Sequence, residues 1–238
     1  IDIMAETLTK PIENTGGAVL EVNAGPGFRM HLQPSSGLPR NVASSVVDML
    51  FPPGEDSRIP IIAVTGTNGK TTTTRLIAHI AKMKGKKVGY TTTDGVYIQN
   101  RLLMKGDCTG PASAEFVLKD PTVNYAVLES ARGGLLRAGL GFKKCDIGVV
   151  TNVAGDHLGL KGIHTIEQLA RVKGVIPETV KPDGYAVLNA DDDLVFDMAN
   201  KVECNFALFS MDENNPRIKR HFKRGGISAI YENGYITI

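Results

Sequence analysis

The sequence predicts an α/β fold: a P-loop-type, mostly parallel sheet with helices on both faces, preceded by a small strand-bearing segment. Three observations predict it. From residue 59 onward, short apolar runs alternate with amphipathic stretches, as in a parallel sheet covered on both faces. One of these runs, Ile61 to Val64, breaks into a glycine-bearing loop and then into a helical pattern from Lys70. Residues 52–58, "PPGEDSR", carry two prolines, a glycine and charges, and read as a linker that sets residues 1–51 apart from 59–238.

Taken in order, residues 1–37 lack the pattern of a complete domain. They contain "IDIMAE", a turn at "ENTGG", a strand "AVLEV" and a polar loop beginning "NAGPGF". Residues 39–51 place Val42, Val46, Val47 and Leu50 on one face of a short amphipathic helix, with Asn41 as its cap. Strands are expected at 60–65, 87–91, 124–129, 146–150, 184–188 and 204–209, and helices near 70–84, 111–119, 165–175 and 191–200. In the first of these helices Leu76, Ile77, Ile80 and Ala81 form the expected apolar face. The closing "ISAIYENGYITI" is a hairpin signal around Asn233-Gly234.

A chain of 238 residues has room for one large α/β core, or for a core and a fragment. A formal net charge of +2 makes no general case for nucleic acid or a membrane surface. Cys108, Cys145 and Cys204 are odd in number and form no C-x-x-C spacing, which points to a reducing cytoplasm and no structural metal. No apolar run approaches membrane-spanning length and no signal peptide is visible. Because the chain begins at Ile1 without an initiator methionine, it reads as a piece of something longer.

The chemistry concentrates at the ends of the expected strands. In "TGTNGKT" (65–71), Gly66 and Gly69 let the backbone curl so that N–H groups, including those of Thr67 and Asn68, face a phosphate. Lys70 reaches the β and γ phosphates of a nucleoside triphosphate, the Thr71 hydroxyl ligates Mg²⁺, and Thr72 continues into the helix whose N-terminus favours an anion. The general P-loop pattern has glycine where this chain has Val64, so the loop is of a shorter form. Glu129 ends the run "YAVLE", where ligands bind in open parallel sheets, and can share the ion held by Thr71. Another strand ends in Thr151 and Asn152 before a loop carrying Asp156 and His157. A third ends at Asn189, ahead of three aspartates suited to a helix start.

These motifs, in this order, resemble the Mur ligase family over residues 58–238. Within it, "RIPIIAVTGTNGKTTTTRLIAHI", "ESARGGLLRAGL" and "YENGYITI" are similar to the cyanophycin synthetase branch rather than to the peptidoglycan ligases. The resemblance implies an ATP- and Mg²⁺-dependent acid–amino acid ligase working through an acyl phosphate, with arginine joined to aspartate side chains of a poly-aspartate backbone. It implies catalytic roles for Lys70, Glu129, His157 and Lys173, with His157 on a second Mg²⁺. Several members carry a lysine at the position of Lys173 that reacts with CO₂ to form a metal-bridging carbamate. Asn152 and Asn189 would meet the nucleotide, Asn189 at its base. Arg132, Arg137 and the basic stretch 215–226 are candidates to meet the acidic polymer.

That branch joins an ATP-grasp domain to the Mur-like one, and "IDIM" with "AVLEVNAGPGFRMH" is similar to the last strands of an ATP-grasp. Asp2, Glu21 and Asn23 would then match its Mg²⁺ ligands, in a remnant too small to work. Mur ligases close a third, amine-binding domain over the nucleotide, and this chain stops where that domain would begin. The fragment alone is therefore expected to bind ATP–Mg²⁺ with little turnover. A homo-oligomer in the intact enzyme is compatible with the sequence. Two alternatives stay open: a ligase for peptidoglycan precursors or folylpolyglutamate, and a non-catalytic nucleotide-binding module.

Overall fold

The computed structural model describes every residue except Leu8, Glu55, Asp56, His157, Leu160 and Lys161. Its contacts divide the chain into two units, Ile1–Ser57 and Arg58–Ile238.

In the first unit, strands β1 (Asp2–Ala5) and β2 (Gly17–Glu21) pair antiparallel around the short helix α1 (Ile12–Thr15). The pairing sets Asp2 opposite Glu21. Helices α2 (Arg29–Leu32) and α3 (Val42–Leu50) follow. Asn41 caps α3 through its side-chain oxygen, which accepts from Ser44 N–H at 3.2 Å. Among the described residues of this unit none is buried.

The second unit is built on one ten-stranded sheet. Its strands are β3 (Ile61–Thr65), β4 (Val88–Thr92), β5 (Gly95–Ile98), β6 (Arg101–Lys105), β7 (Tyr125–Glu129), β8 (Cys145–Val150), β9 (Val180–Asn189), β10 (Asn205–Ser210), β11 (Ser228–Glu232) and β12 (Tyr235–Thr237). They lie in the order β12-β11-β10-β9-β8-β3-β7-β4-β5-β6. The run from β11 to β4 is parallel, while β12 at one end and β5–β6 at the other are antiparallel. All five residues of β3 are buried, because a central parallel strand is covered from both sides. Its alternation divides the core: Ile61 and Ala63 join one cluster and Ile62 and Val64 another on the opposite face.

Helices flank the two faces unequally. On one side pack α5 (Pro111–Leu118), α7 (Ile166–Glu178), α8 (Asp193–Phe196) and α9 (Pro216–Lys223), with α6 (Arg132–Ala138) beside α5 and α7. On the other side α4 (Lys70–Met83) packs over β3, β4 and β7. Ile147, Val149, Val187 and Phe209 instead line a groove of about 1000 Å³ beside α4.

The face that α4 buries differs from the expected one. Thr74, Ala78 and Ala81 are buried and Ile77 packs against them, whereas Leu76 and Ile80 are 59% and 55% exposed. Small side chains let the helix approach the sheet closely, and Ile80 turns to the rim of the groove. No described helix is long and apolar enough to cross a membrane.

Candidate functional site

The parallel strands all end at one edge, and the loops there carry the chemistry. After Thr65 the chain must turn at once into α4. Gly66 does so with φ of 149° against Thr151, whose Oγ1 would lie 1.9 Å from a Cβ at this position. Gly69 caps α4 with φ of 82° and open space around it. The first helical bond runs from Thr73 N–H to Gly69 O (2.9 Å), so the N–H groups of Lys70, Thr71 and Thr72 stand ahead of it at the positive end of the helix.

The loop is wired to the segment after β8. Thr67 N–H donates to Asn152 O, and Asn68 N–H to Asn152 Oδ1, both at 2.9 Å. Thr151 Oγ1 donates to Asn68 O at 2.6 Å, and Asn68 Nδ2 to Asp156 Oδ2 at 3.1 Å. The backbone donors of Thr67 and Asn68 thus serve the loop's own shape. Lys70 Nζ donates to Thr67 O at 2.8 Å, holding its amine over the loop.

Thr71 donates its hydroxyl to Glu129 Oε2 at 2.8 Å. Glu129 is 2% exposed, and its other oxygen, Oε1, is buried without a hydrogen-bond partner among the described residues. A buried carboxylate oxygen left so is costly. Burial pushes the Glu129 carboxyl above its ordinary pKa, opposed by the Thr71 hydroxyl, the Lys70 charge and Thr93 N–H. A hard cation beside Oε1 would relieve that cost, and a hydroxyl with a carboxylate is the sparse oxygen set that Mg²⁺ accepts while keeping water and phosphate ligands. The donor set fits the ion.

Lys173 lies far from Thr71 in sequence but reaches the same loop. α7 begins with a full capping box between Thr165 and Gln168, and its inward face carries Leu169, Ala170 and Lys173. Lys173 is 3% exposed and its Nζ donates to Gly66 O at 2.7 Å. Burial, then the charges of Lys70 and Arg132, lower its pKa to about 7. Gly66, Lys70, Thr93, Arg132 and Lys173 share a cavity of about 210 Å³.

Asn189 ends β9, where Nδ2 donates to Thr151 O and Oδ1 accepts from Asp191 N–H, both at 2.9 Å. It also lines the large groove, with Asn68, Gly69 and Asn152. Asp192 caps α8 through Val195 N–H. Lys70, Thr71, Glu129, Asn152, Lys173 and Asn189 therefore gather along one edge. His157 lies outside the described residues. Asp2, Glu21 and Asn23 belong to the other unit and are exposed.

One residue escaped the sequence reading. Thr93, just beyond β4, puts its hydroxyl 3.0 Å from Thr71 Oγ1 and its N–H 3.3 Å from Glu129 Oε2. Its turn is braced by Asp94, which accepts from Thr92 and Tyr97 hydroxyls and pairs with Arg75 of α4. A polar run directly after a parallel strand, "TTTD", was the signal available.

The Mur ligase middle domain model matches residues 64–235. Over its whole length the chain is 63% identical to cyanophycin synthetase of Synechocystis sp. and 62% identical to that of Geminocystis herdmanii, and it spans 27% of the length of each. Among solved structures, UDP-N-acetylmuramoyl-L-alanyl-D-glutamate–2,6-diaminopimelate ligase is 30% identical with a TM-score of 0.55, covering 66% of this chain and 33% of that one. The match runs from the P-loop strand β3 into β12, through every strand end that carries the site, and the chain belongs to the Mur ligase middle-domain family.

Proposed function

We propose that this chain is the nucleotide-handling part of an ATP- and Mg²⁺-dependent acid–amino acid ligase that adds arginine to aspartate side chains of a poly-aspartate backbone. The observation that carries the ligase reading is Glu129: a buried carboxylate with one oxygen bonded to Thr71 and the other unpartnered, beside Lys70. The polymer and the amine come from the similarity to cyanophycin synthetases, whose length this chain covers only in part.

One Mg²⁺ would rest on Thr71 and Glu129 and a second, in the family's manner, on His157, and they would supply charge neutralisation on the transferring phosphoryl group. The chain's own groups do the positioning. Lys70 would exchange Thr67 O for β/γ oxygens, and the N–H groups from Gly69 to Thr72 would hold the phosphates at the start of α4. The nucleoside would extend along the groove past Asn152 and Asn189. An acceptor carboxylate in the smaller cavity would meet Arg132 and Lys173 while facing the γ-phosphoryl, a case of catalysis by orientation. Lys173 is suited to carbamylation, because that reaction needs a neutral amine and this one is half neutral near pH 7. We further propose that residues 1–51 are the end of an ATP-grasp domain, with 52–58 as the linker; the register of Asp2 with Glu21 supports it.

The test replaces the matching segment of the Synechocystis synthetase with this chain and measures ADP release with arginine and an aspartate-backbone primer. Arginine- and primer-dependent release that disappears in Lys70→Ala is expected. Primer-dependent release driven equally by an amine other than arginine, or release persisting in Lys70→Ala, would sink the reading.

A further inference from the structure

Beyond Val150 the chain leaves the sheet ladder, yet residues 151–154 hold the P-loop in shape. Thr151 N–H still donates to Thr65 O at 3.0 Å. Past it, Asn152 O accepts from Thr67 N–H and Ala154 N–H donates to Thr67 Oγ1, both at 2.9 Å. β8 lies between β3 and β9, so the other flank of this segment faces the turn after β9. That turn reaches it with two side chains. Asn189 Nδ2 donates to Thr151 O at 2.9 Å, and Asp192 Oδ2 accepts from Val153 N–H at 2.6 Å.

Asp192 uses both of its oxygens. Oδ1 accepts from Val195 N–H at 3.1 Å and caps α8. A cap alone does not call for a carboxylate, since Ser, Asn and Asp serve about equally well. The second oxygen is the one that a cap leaves over, and it binds Val153. Val153 is buried, so its N–H has little water to turn to, and the bond is short and charge-assisted. The neighbouring aspartate differs: Asp193 is exposed and pairs with Arg217 of α9.

What Asp192 holds is what closes on the P-loop. Gly66 lies against Thr151, and Asn68 is bonded by both Thr151 and Asn152. A drift of residues 151–154 would take from Thr67 and Asn68 the partners that orient their peptides. Lys70, whose Nζ rests on Thr67 O, would lose its seat with them. The ligase reading gives Asn189 to the nucleotide base, which opens its tie to Thr151 to exchange on binding. The tie through Asp192 is to a backbone N–H away from that groove and persists.

We propose that Asp192 is a positioning residue for nucleotide binding: through Val153 it fixes residues 151–154 and so keeps the P-loop in the shape that receives phosphate. The proposal rests on the nucleotide part of the ligase reading and not on the amine or the polymer.

Charge and position predict opposite signs. A carboxylate near a triphosphate repels it, so neutralising one should, by charge alone, tighten binding. Loss of position should weaken it, because apparent affinity scales with the fraction of chains in the competent arrangement. A fall of that fraction to about a tenth weakens binding about tenfold.

N-methylanthraniloyl-ADP with Mg²⁺ is titrated with the 238-residue chain and read by anisotropy. Asp192→Ser, which keeps a capping oxygen and lacks the second, should weaken binding about tenfold. Asp192→Asn, isosteric and still a cap, turns an amide towards Val153 N–H and should weaken it as well. Asp193→Asn removes the same charge one residue on, and should leave binding unchanged or tighten it. Circular dichroism confirms that each variant is folded in the binding buffer. A modest loss of stability leaves the population almost wholly native and so does not move this affinity. Wild-type or tighter binding by the folded Asp192 variants overturns the proposal and leaves Asp192 a cap. Equal loss in Asp193→Asn overturns it too, as does a wild type that binds no nucleotide. Failure of the ligase reading looks different: the chimera would lack arginine-dependent turnover while nucleotide binding and its dependence on Asp192 persist.

Discussion

Lys173 departs furthest from the ordinary behaviour of its type. A helix lysine is normally solvated, yet this one is buried against Gly66 O with its pKa lowered to about 7. Between about 7 and the ordinary 10.5, the unfolded chain therefore holds a proton that the native chain lacks, and stability rises with pH across that window. Urea midpoints of the wild type should climb from pH 7 to pH 9.5 more than those of Lys173→Met, which keeps the volume and loses the titration. Parallel curves would place the amine in water. In the chimera, Lys173→Ala should lose most arginine addition and regain part of it with acetate, while Lys173→Arg should stay inactive because a guanidinium is always charged. Wild-type activity in the alanine variant would make Lys173 a packing residue. The helical spacing gave Lys173 a place on α7, but not its burial, which depends on how α7 sits over the end of β3. Glu129 shows the same division. Its position at a strand end was readable from five residues, whereas its lone unpartnered oxygen arises only where β7, α4 and the turn after β4 meet.

At the scale of elements, the parallel strands and the helices that follow them were legible because each announces itself by an apolar run or a 3.6-residue period. What escaped were elements set by their neighbours. β5 and β6 turn through Gln99 and Asn100, both at positive φ, without an Asn-Gly or Asp-Gly dipeptide to mark the hairpin. α6 carries two glycines, one of which, Gly134, lies so near Gly110 that a Cβ would come within 2.8 Å of its Cα. A propensity reading sees helix breakers where the packing needs small residues. α9 was hidden by its charge, since its apolar anchor is essentially Ile218. α7 is the converse, a helix whose start is written locally. Thr165 Oγ1 accepts from Gln168 N–H at 3.2 Å, and Gln168 Oε1 accepts from Thr165 N–H at 3.1 Å. Thr165→Ala should lower unfolding free energy by about 1 kcal/mol, and Thr165→Ser should restore nearly all of it. A urea titration decides it, and a change of a few tenths in the alanine variant would show the cap to be redundant with the packing of Leu169 and Ala170.

On the scale of the whole chain, the two units differ in kind. Among the described residues every buried hydrophobic one lies between Ile61 and Ile218, within Arg58–Ile238, and three clusters there fill both sides of the sheet. Ile1–Ser57 has no buried residue among those described, and it leaves Ile3, Met4, Val19 and Leu20 more than half exposed. A two-stranded hairpin with short helices cannot bury enough apolar surface to offset its chain entropy. Cooperative unfolding should therefore belong to the second unit alone. Deleting residues 1–57 should move the thermal midpoint of the remainder by less than about 2 °C, well under the shift of a 1 kcal/mol loss in a small domain. It should also leave Mg²⁺–nucleotide binding intact, because Gly69, Lys70, Thr71 and Glu129 are positioned by β3, α4 and β7. A peptide of residues 1–57 should show no cooperative melt. Calorimetry on the three species is the measurement. A midpoint that falls by more than about 5 °C on deletion would mean that the first unit supports the sheet.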